Sequence, residues 1–316
     1  MAEQQVDQKD SPLEYREASV NLNNQHIKRP SFSSPSVVAC SRQQIKGTQI
    51  RLSIDAVIVE EPLQIRLHYR DQLGQDQDRI YLVTMRTPGD DLNLVCGLLL
   101  AEGVIKRATD IIAINDQLDD DEISINEINV HLSPNTMVDW DFIKRDTTSF
   151  SSCGVCGKSS MQSLELRNIP HLDTTEAWLS SHLISQFSEQ LAQVQPMFHQ
   201  TGGVHGCALF NETGQLLLSS EDVGRHNALD KLIGQLAFNS TFNTSRKIIF
   251  LSGRISFELV QKVLVAGIPV LVAVGAPSNL AINMAKRFNL TLIGFSRDGI
   301  FNLYHGAFRL NLEKFD

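Results

Sequence analysis

The sequence has no basic surplus, no repeated cysteine spacing and no long apolar run. Its formal net charge is −8. That argues against a general nucleic-acid binder, whose phosphate contacts need excess Lys and Arg, although a local basic pocket for a phosphorylated ligand is still compatible with it. Only five cysteines occur, Cys40, Cys96, Cys153, Cys156 and Cys207. An odd number with one tight pair is not a disulfide framework, and a reducing compartment fits it better. The first twenty residues contain no apolar stretch of signal-peptide type. The longest apolar run, Val263 to Ala276, is interrupted by Gly267 and Pro269. It is too short to cross a bilayer and reads as a helix end, a turn and a buried strand. The expectation is a soluble, cytoplasmic protein with no membrane insertion.

What is present suffices for a sizeable core. Of 316 residues, 42 % are hydrophobic and 20 % charged. Residues 1–48 are polar, rich in Ser and Gln and without periodicity, and are expected to form a disordered arm. Residues 49–145 carry short alternating apolar runs (Val57, Val59, Leu63, Ile65, Leu67) and one helical pattern beginning near Leu92, which predicts a small α+β domain. Residues 146–163 are Ser- and Gly-rich and hold the paired cysteines. Residues 164–316 form the fourth part. A helix is expected over Thr175–Val194 and a hairpin across Asn211-Glu-Thr-Gly214. The series then runs strand, helix, strand, helix, strand from Lys247 to Phe295. That order predicts an α/β domain with mostly parallel strands and right-handed crossovers. Carboxyl ends of parallel strands gather on one edge, where ligands bind in such folds. The segments there are Ser252-Gly-Arg254, Gly275-Ala-Pro-Ser278 and Ser296-Arg-Asp-Gly299, and two of them enter helix N-termini suited to an anion.

Four motifs carry chemistry. In Ser152-Cys153-Gly154-Val155-Cys156-Gly157-Lys158, glycines leave the sulfurs accessible and Lys158 favours a thiolate. A second thiol three residues on can resolve or share a sulfane sulfur. Half of a structural zinc site and a plain flexible loop are the alternatives; a full zinc site needs four ligands, and neither a second C-x-x-C nor an H-x₃-H is present. No zinc is therefore expected. A thiol oxidoreductase is a further alternative, but the usual βαβ context is missing.

In His199-Gln-Thr-Gly-Gly-Val-His205-Gly-Cys207 the histidine turn is similar to that of zinc deaminases, with Cys207 standing where their catalytic Glu would be. His199 and His205 are candidate site residues or satisfied turn histidines. Cys207 opens an apolar strand and reads as a buried small hydrophobe. In Glu221-Asp-Val-Gly-Arg-His-Asn-Ala-Leu-Asp-Lys231, Asp222 is placed to cap a helix, and Arg225, His226 and Asn227 offer donors to phosphate or a base edge. Asp230 and Lys231 are expected to face solvent or another element. Finally Arg254, Ser256, Ser278 and Arg297 are expected to share one pocket, while Glu258 and Lys262 stand i, i+4 as a helix pair.

These motifs occur in order, together with Ser-Gly-Arg-Ile-Ser-Phe-Glu, Gly-Phe-Ser-Arg-Asp-Gly, Glu61-Pro-Leu63, Met85-Arg-Thr-Pro-Gly89 and Glu102-Gly103. From about residue 50 to the end the chain resembles the FdhD family, the formate dehydrogenase accessory sulfurtransferases. The resemblance implies a three-layer, cytidine-deaminase-like core without deaminase chemistry. It implies a sulfur carrier that takes sulfur from a cysteine desulfurase and passes it to the molybdenum cofactor, a bis-(molybdopterin guanine dinucleotide), before insertion into apo formate dehydrogenase. By position, Cys153 would hold a persulfide and Cys156 would assist. The cofactor segment would be Phe295, Ser296, Arg297, Asp298, Gly299 and Ile300, with a guanine nucleotide as a mimic of the cofactor. The resemblance also implies a homodimer. The rival function is a non-catalytic chaperone that binds the same cofactor.

Overall fold

The computed structural model describes residues 36–115, 126–140, 169–239 and 243–311. Two ten-residue strands, β1 (Val37–Lys46) and β2 (Gln49–Ile58), pair as an antiparallel hairpin. Thus residues 37–46, read from the sequence as part of a polar arm, are strand. Their apolar residues alternate too loosely with Gln, Ser and Arg to signal it alone. Next come β3 (Glu61–Arg70), β4 (Asp76–Arg86), helix α1 (Asp91–Ala101), β5 (Ile111–Asn115) and β6 (Glu127–Leu132). The four strands form one sheet in the order β4-β3-β6-β5. Period-2 alternation sends Leu63, Ile65, Leu67, Ile128 and Val130 to one face, where they pack with Leu94, Val95 and Leu99 of α1. Together these strands and α1 make a small α+β unit.

The larger unit begins with β7 (Leu179–Ser180), α2 (Ser181–Gln193) and α3 (Pro196–Thr201). Helix α2 starts later than its apolar periodicity suggested. Asp173 Oδ1 accepts hydrogen bonds from the Thr175 N–H (2.9 Å) and hydroxyl (2.8 Å), a local turn that competes with helix. Residues Leu179 and Ser180 then pair with β14 (Leu310–Asn311). Strands β8 (His205–Phe210) and β9 (Leu216–Asp222) are the expected hairpin, followed by α4 (Arg225–Phe238). The alternation then runs β10 (Ile248–Leu251), α5 (Phe257–Val265), β11 (Val270–Ala273), α6 (Asn279–Arg287) and β12 (Thr291–Arg297), and β13 (Ile300–His305) closes it.

The main sheet has six strands in the order β13-β12-β11-β10-β8-β9. Pairings β10–β11 and β11–β12 are parallel, as the strand-helix alternation requires. The other three are antiparallel, so the sheet is mixed rather than mostly parallel. The reason is local. β8–β9 and β12–β13 are hairpins closed by tight turns, and at the second both Asp298 and Gly299 have positive φ, as a two-residue hairpin turn demands. Alternate residues feed two cores. Leu209, Ile249, Leu271 and Leu292 join α4, α5 and α6 on one face. Phe210, Phe250, Val272 and Ile293 join Phe187 and Ile184 of α2 on the other. The unit is therefore a sheet with helices on both faces.

The two units meet along α1 and α4, whose backbones touch. A Cβ at Gly97 would lie 1.8 Å from the Asp230 carbonyl oxygen, and one at Gly234 would lie 2.0 Å from that of Asn93. Only glycine permits this approach. Helix α1 is apolar on both sides for the same reason: one side faces its sheet and the other faces α4. Among the described residues no helix is long and apolar enough to cross a membrane.

Candidate functional site

The site is built on the ends of β10, β11 and β12. Hydrogen bonds join these ends in succession. Gly275 N–H donates to Gly253 O (3.0 Å), and Phe295 N–H donates to Gly275 O (3.2 Å). Ile255 and Ser278 exchange further bonds across the first pair of ends, Ile255 N–H to Ala276 O (3.0 Å) and Ser278 N–H to Ile255 O (2.9 Å). A Cβ on Gly275 would fall 2.7 Å from Gly253 O, so glycine is what lets the two loops nest. The three turns expected to converge do lie side by side, because parallel strands end on the same edge.

Around this edge the structure gathers positive charge. Arg225 is the first residue of α4, behind the N-cap Gly224, which offers no side-chain cap to the helix. The Arg225 Nε is buried and has no hydrogen-bond partner among the described residues. Arg254 lies in the loop between β10 and α5 and is exposed. His205 opens β8, half-buried and opposite Asp222 of β9. Burial holds its pKa below the usual imidazole value, and the guanidinium groups of Arg225 and Arg254 push the same way. His205 is therefore neutral at pH 7, able to donate from one ring nitrogen and accept at the other. A Cβ on Gly253 would meet the His205 ring at 3.2 Å, which places the histidine against the β10 end.

The neighbouring His226, second in α4, sets its Nε2 3.2 Å from Ser256 Oγ and 4.0 Å from Glu258. Burial, then Arg225 and Lys262, lower its pKa to about 4 against the opposing pull of Glu258 and Glu102. Ser256 is the N-cap residue of α5. Ser278 is the N-cap of α6, and its hydroxyl accepts from the Ala281 N–H (3.1 Å). That hydroxyl is thus engaged within its own helix. In the segment Phe295–Ile300, Phe295 has φ 55 and an exposed ring. Ser296 is turned inward, its hydroxyl donating to Ile184 O of α2 (3.4 Å). Arg297, Asp298, Gly299 and Ile300 form the exposed hairpin tip. His199 stands apart: it is exposed on α3, and its Nε2 donates to Ala192 O (2.5 Å). Cys153 and Cys156 lie outside the described residues.

Beneath the site lies a buried polar lock that sequence patterns did not reveal. Asp222 does not cap α4. It is fully buried and pairs with Lys231 at 2.8 Å. It also accepts from the N–H groups of Gly224 (2.9 Å) and Thr87 (3.2 Å) and from Asn227 Nδ2 (3.3 Å). Lys231 Nζ donates to Thr87 O (3.0 Å), Thr87 Oγ1 accepts from Val223 N–H (3.0 Å), and Asn227 donates to Met85 O (2.7 Å). The Met85–Thr87 segment of the small unit is thereby fastened to the turn that presents Arg225 and His226. One turn along α4, Asp230 binds Lys262 Nζ through both oxygens at 2.9 and 3.1 Å, with Glu102 at 3.4 Å. Lys262 thus pairs across elements rather than with Glu258 on its own helix. Burial nonetheless raises the Asp230 pKa to about 6. Glu221 closes another helix end, its carboxylate accepting from Met197 and Phe198 N–H at 3.0 and 2.8 Å. The only signal for these roles was the density of charged residues in Glu221–Lys231.

Among the described residues no group of three or more His, Cys, Asp or Glu side chains is placed to hold a metal ion. The described part of the site offers instead arginines, the start of α4 without a side-chain cap and a neutral histidine, which together make an anion-recognition edge on a mixed α/β protein. Comparison with known proteins sharpens this class. The sequence profile of the FdhD/NarQ family matches residues 58–311, and the chain belongs to that family. The Sulfur carrier protein FdhD of Streptomyces coelicolor is 40 % identical over 274 residues, covering 85 % of this chain and 94 % of that protein. The protein of the same name from Saccharolobus solfataricus is 36 % identical over 267 residues, covering 84 % and 95 % respectively. A crystal structure from Desulfotalea psychrophila, of a protein put forward as a formate dehydrogenase accessory protein, superposes with a TM-score of 0.65 at 25 % identity. It covers 88 % of this chain and 100 % of that one.

Proposed function

We propose that this protein is a sulfur carrier for formate dehydrogenase maturation. A cysteine desulfurase hands its sulfane sulfur to the Cys153 thiolate, forming a persulfide as the donor thiolate leaves; Cys156 assists. The carrier then delivers that sulfur to the molybdenum cofactor, a bis-(molybdopterin guanine dinucleotide) bound as cargo, ahead of insertion into the apo-enzyme in the cytoplasm. The deaminase-like ancestry of the core belongs to the same reading, with Cys207 buried in β8 where a deaminase would need its acid-base carboxylate.

The observation that supports the cargo assignment is the joined strand ends with Arg225, Arg254 and His205 grouped beside them. Phosphates of a guanine dinucleotide would be met by guanidinium groups and by the α4 and α5 N-termini. Arg297 at the hairpin tip would reach the same ligand. Calorimetry with GDP tests this. Wild type is expected to bind GDP more tightly than guanosine. Arg225→Ala and Arg297→Ala should each weaken GDP at least about tenfold, the scale of one charge-assisted phosphate contact. Failure of wild type to bind GDP would remove the cargo site from this edge. Binding of GDP by a protein that never accepts sulfur would favour the cofactor chaperone instead.

A further inference from the structure

Ser256 and Glu258 decide which ring nitrogen of His226 carries the proton. His226 Nε2 stands 3.2 Å from Ser256 Oγ and 4.0 Å from a Glu258 carboxylate oxygen. Glu258 is ionised at pH 7. Burial opposes that charge, but hydrogen bonds from the Ser256 hydroxyl and from its own N–H, with His226 and Arg225 nearby, outweigh burial and hold the carboxyl below its usual value. An ionised carboxylate only accepts, so the single Ser256 proton goes to Glu258. Ser256 Oγ is then an acceptor toward the ring, and His226 Nε2–H donates to it. Burial and the charges of Arg225 and Lys262 keep the ring neutral at pH 7. A neutral ring with its proton on Nε2 carries a lone pair on Nδ1. That nitrogen has no hydrogen-bond partner among the described residues.

His226 is thus an acceptor set among donors. Its side chain is 37 % exposed. It follows Arg225 directly at the start of α4 and is tied through Ser256 to the start of α5. An acceptor in that place repels phosphate oxygens, which are held by guanidinium and backbone N–H groups. It attracts a hydroxyl. In a nucleotide the donors nearest the phosphates are the sugar hydroxyls, and the donors of the base lie beyond the sugar.

We propose that His226 is a specificity-determining residue of the cargo edge: its Nδ1 accepts a hydrogen bond from a ribose hydroxyl of the bound nucleotide, and Ser256 and Glu258 are positioning residues that hold the ring in the tautomer this needs. The inference rests on the guanine-nucleotide reading of that edge and adds recognition of the sugar to it. It also gives Glu258 an effect opposite to plain charge repulsion. A carboxylate beside phosphates repels them, so neutralising it would tighten the binding of any diphosphate. As a positioning residue, its loss instead weakens the preference for ribose.

Calorimetry with GDP and with its dideoxy analogue, which lacks both ribose hydroxyls, tests this together with nitrogen NMR of isotope-labelled histidine. Wild type should hold GDP about tenfold more tightly than the analogue, the scale of one hydrogen bond and of an acceptor left unpaired. In His226→Phe that preference should vanish, through loss of GDP affinity with the analogue unaffected. In Glu258→Gln it should shrink, while the analogue binds no more weakly than to wild type. Both side chains are partly exposed, so both variants should keep the wild-type circular dichroism. The NMR signal of His226, assigned by its absence from His226→Phe, should show a neutral ring with the proton on Nε2 at pH 7, and Glu258→Gln should populate the Nδ1–H form. A wild type that binds GDP and the analogue alike, a His226→Phe protein that keeps the preference, or a wild-type proton on Nδ1 would overturn the inference and leave the cargo site standing. Failure of wild type to bind GDP at all would remove the cargo site and this inference with it.

Discussion

Replacing Asp222 tests whether the buried lock, rather than surface packing, holds the arginine edge in place. The Asp222–Lys231 pair has 0 and 2 % exposed side chains at 2.8 Å. Removing one partner of such a pair leaves an uncompensated buried charge and costs about 3–5 kcal/mol. The two halves are unequal. With Asp222→Ala the Lys231 ammonium keeps only the Thr87 carbonyl, and three donors, on Gly224, Thr87 and Asn227, lose their acceptor. With Lys231→Met those three donors still serve Asp222. We therefore expect Asp222→Ala near the upper end, about 4–5 kcal/mol, and Lys231→Met about 3 kcal/mol. The double variant should cost less than the sum by at least about 1.5 kcal/mol, since it removes both charges together. Urea unfolding followed by tryptophan fluorescence gives these values from midpoints at constant slope. Single variants that each cost under about 1 kcal/mol and simply add would refute the reasoning, because a strongly coupled buried pair cannot behave so.

Three further outcomes are expected. Because the His226 pKa falls to about 4 on folding, the unfolded chain takes up the proton first as pH drops below about 6.5. Stability from this residue is then present above that pH and lost toward pH 4; with the side chain 37 % exposed, screening reduces the effect to about 1–2 kcal/mol, and His226→Asn should flatten the stability profile between those limits. Gly97→Ala forces α1 and α4 apart against backbone and should cost about 2 kcal/mol or more in urea despite the better helix propensity, whereas no loss would mean that the helices do not touch as described. In native alkylation mapped by mass spectrometry, exposed Cys40 should react while Cys96, its pKa pushed up to about 12 by burial, and buried Cys207 should not; rapid labelling of Cys207 would contradict its place in β8.

Much of this architecture was legible because the strongest sequence signal is apolar period. The β10 to β12 alternation, the β8–β9 hairpin and α1 emerged from it within a few residues of their observed bounds. Convergence of Gly253, Gly275 and Phe295 followed from parallel topology alone. What stayed hidden depends on tertiary partners. Asp222, Asp230, Lys231 and Lys262 look like surface charges in the sequence, and only the packing of β9, α4 and α5 on one another brings them together as buried cross-element pairs. Strand β1 was missed because nearly all of its residues are exposed, so no core pattern marks it. Ser296 was read as facing the ligand, yet the bulge after Gly294 turns it inward to α2.

The central claim is that this protein carries sulfur on Cys153. Intact-mass measurement after incubation with a cysteine desulfurase and cysteine tests it most directly. The account predicts an added mass of about 32 Da per transferred sulfur, removed by reductant and absent from Cys153→Ala, while Arg225→Ala still loads because loading needs only the thiol and the donor. An adduct of the same size on Cys153→Ala, or none on the wild type, would contradict it.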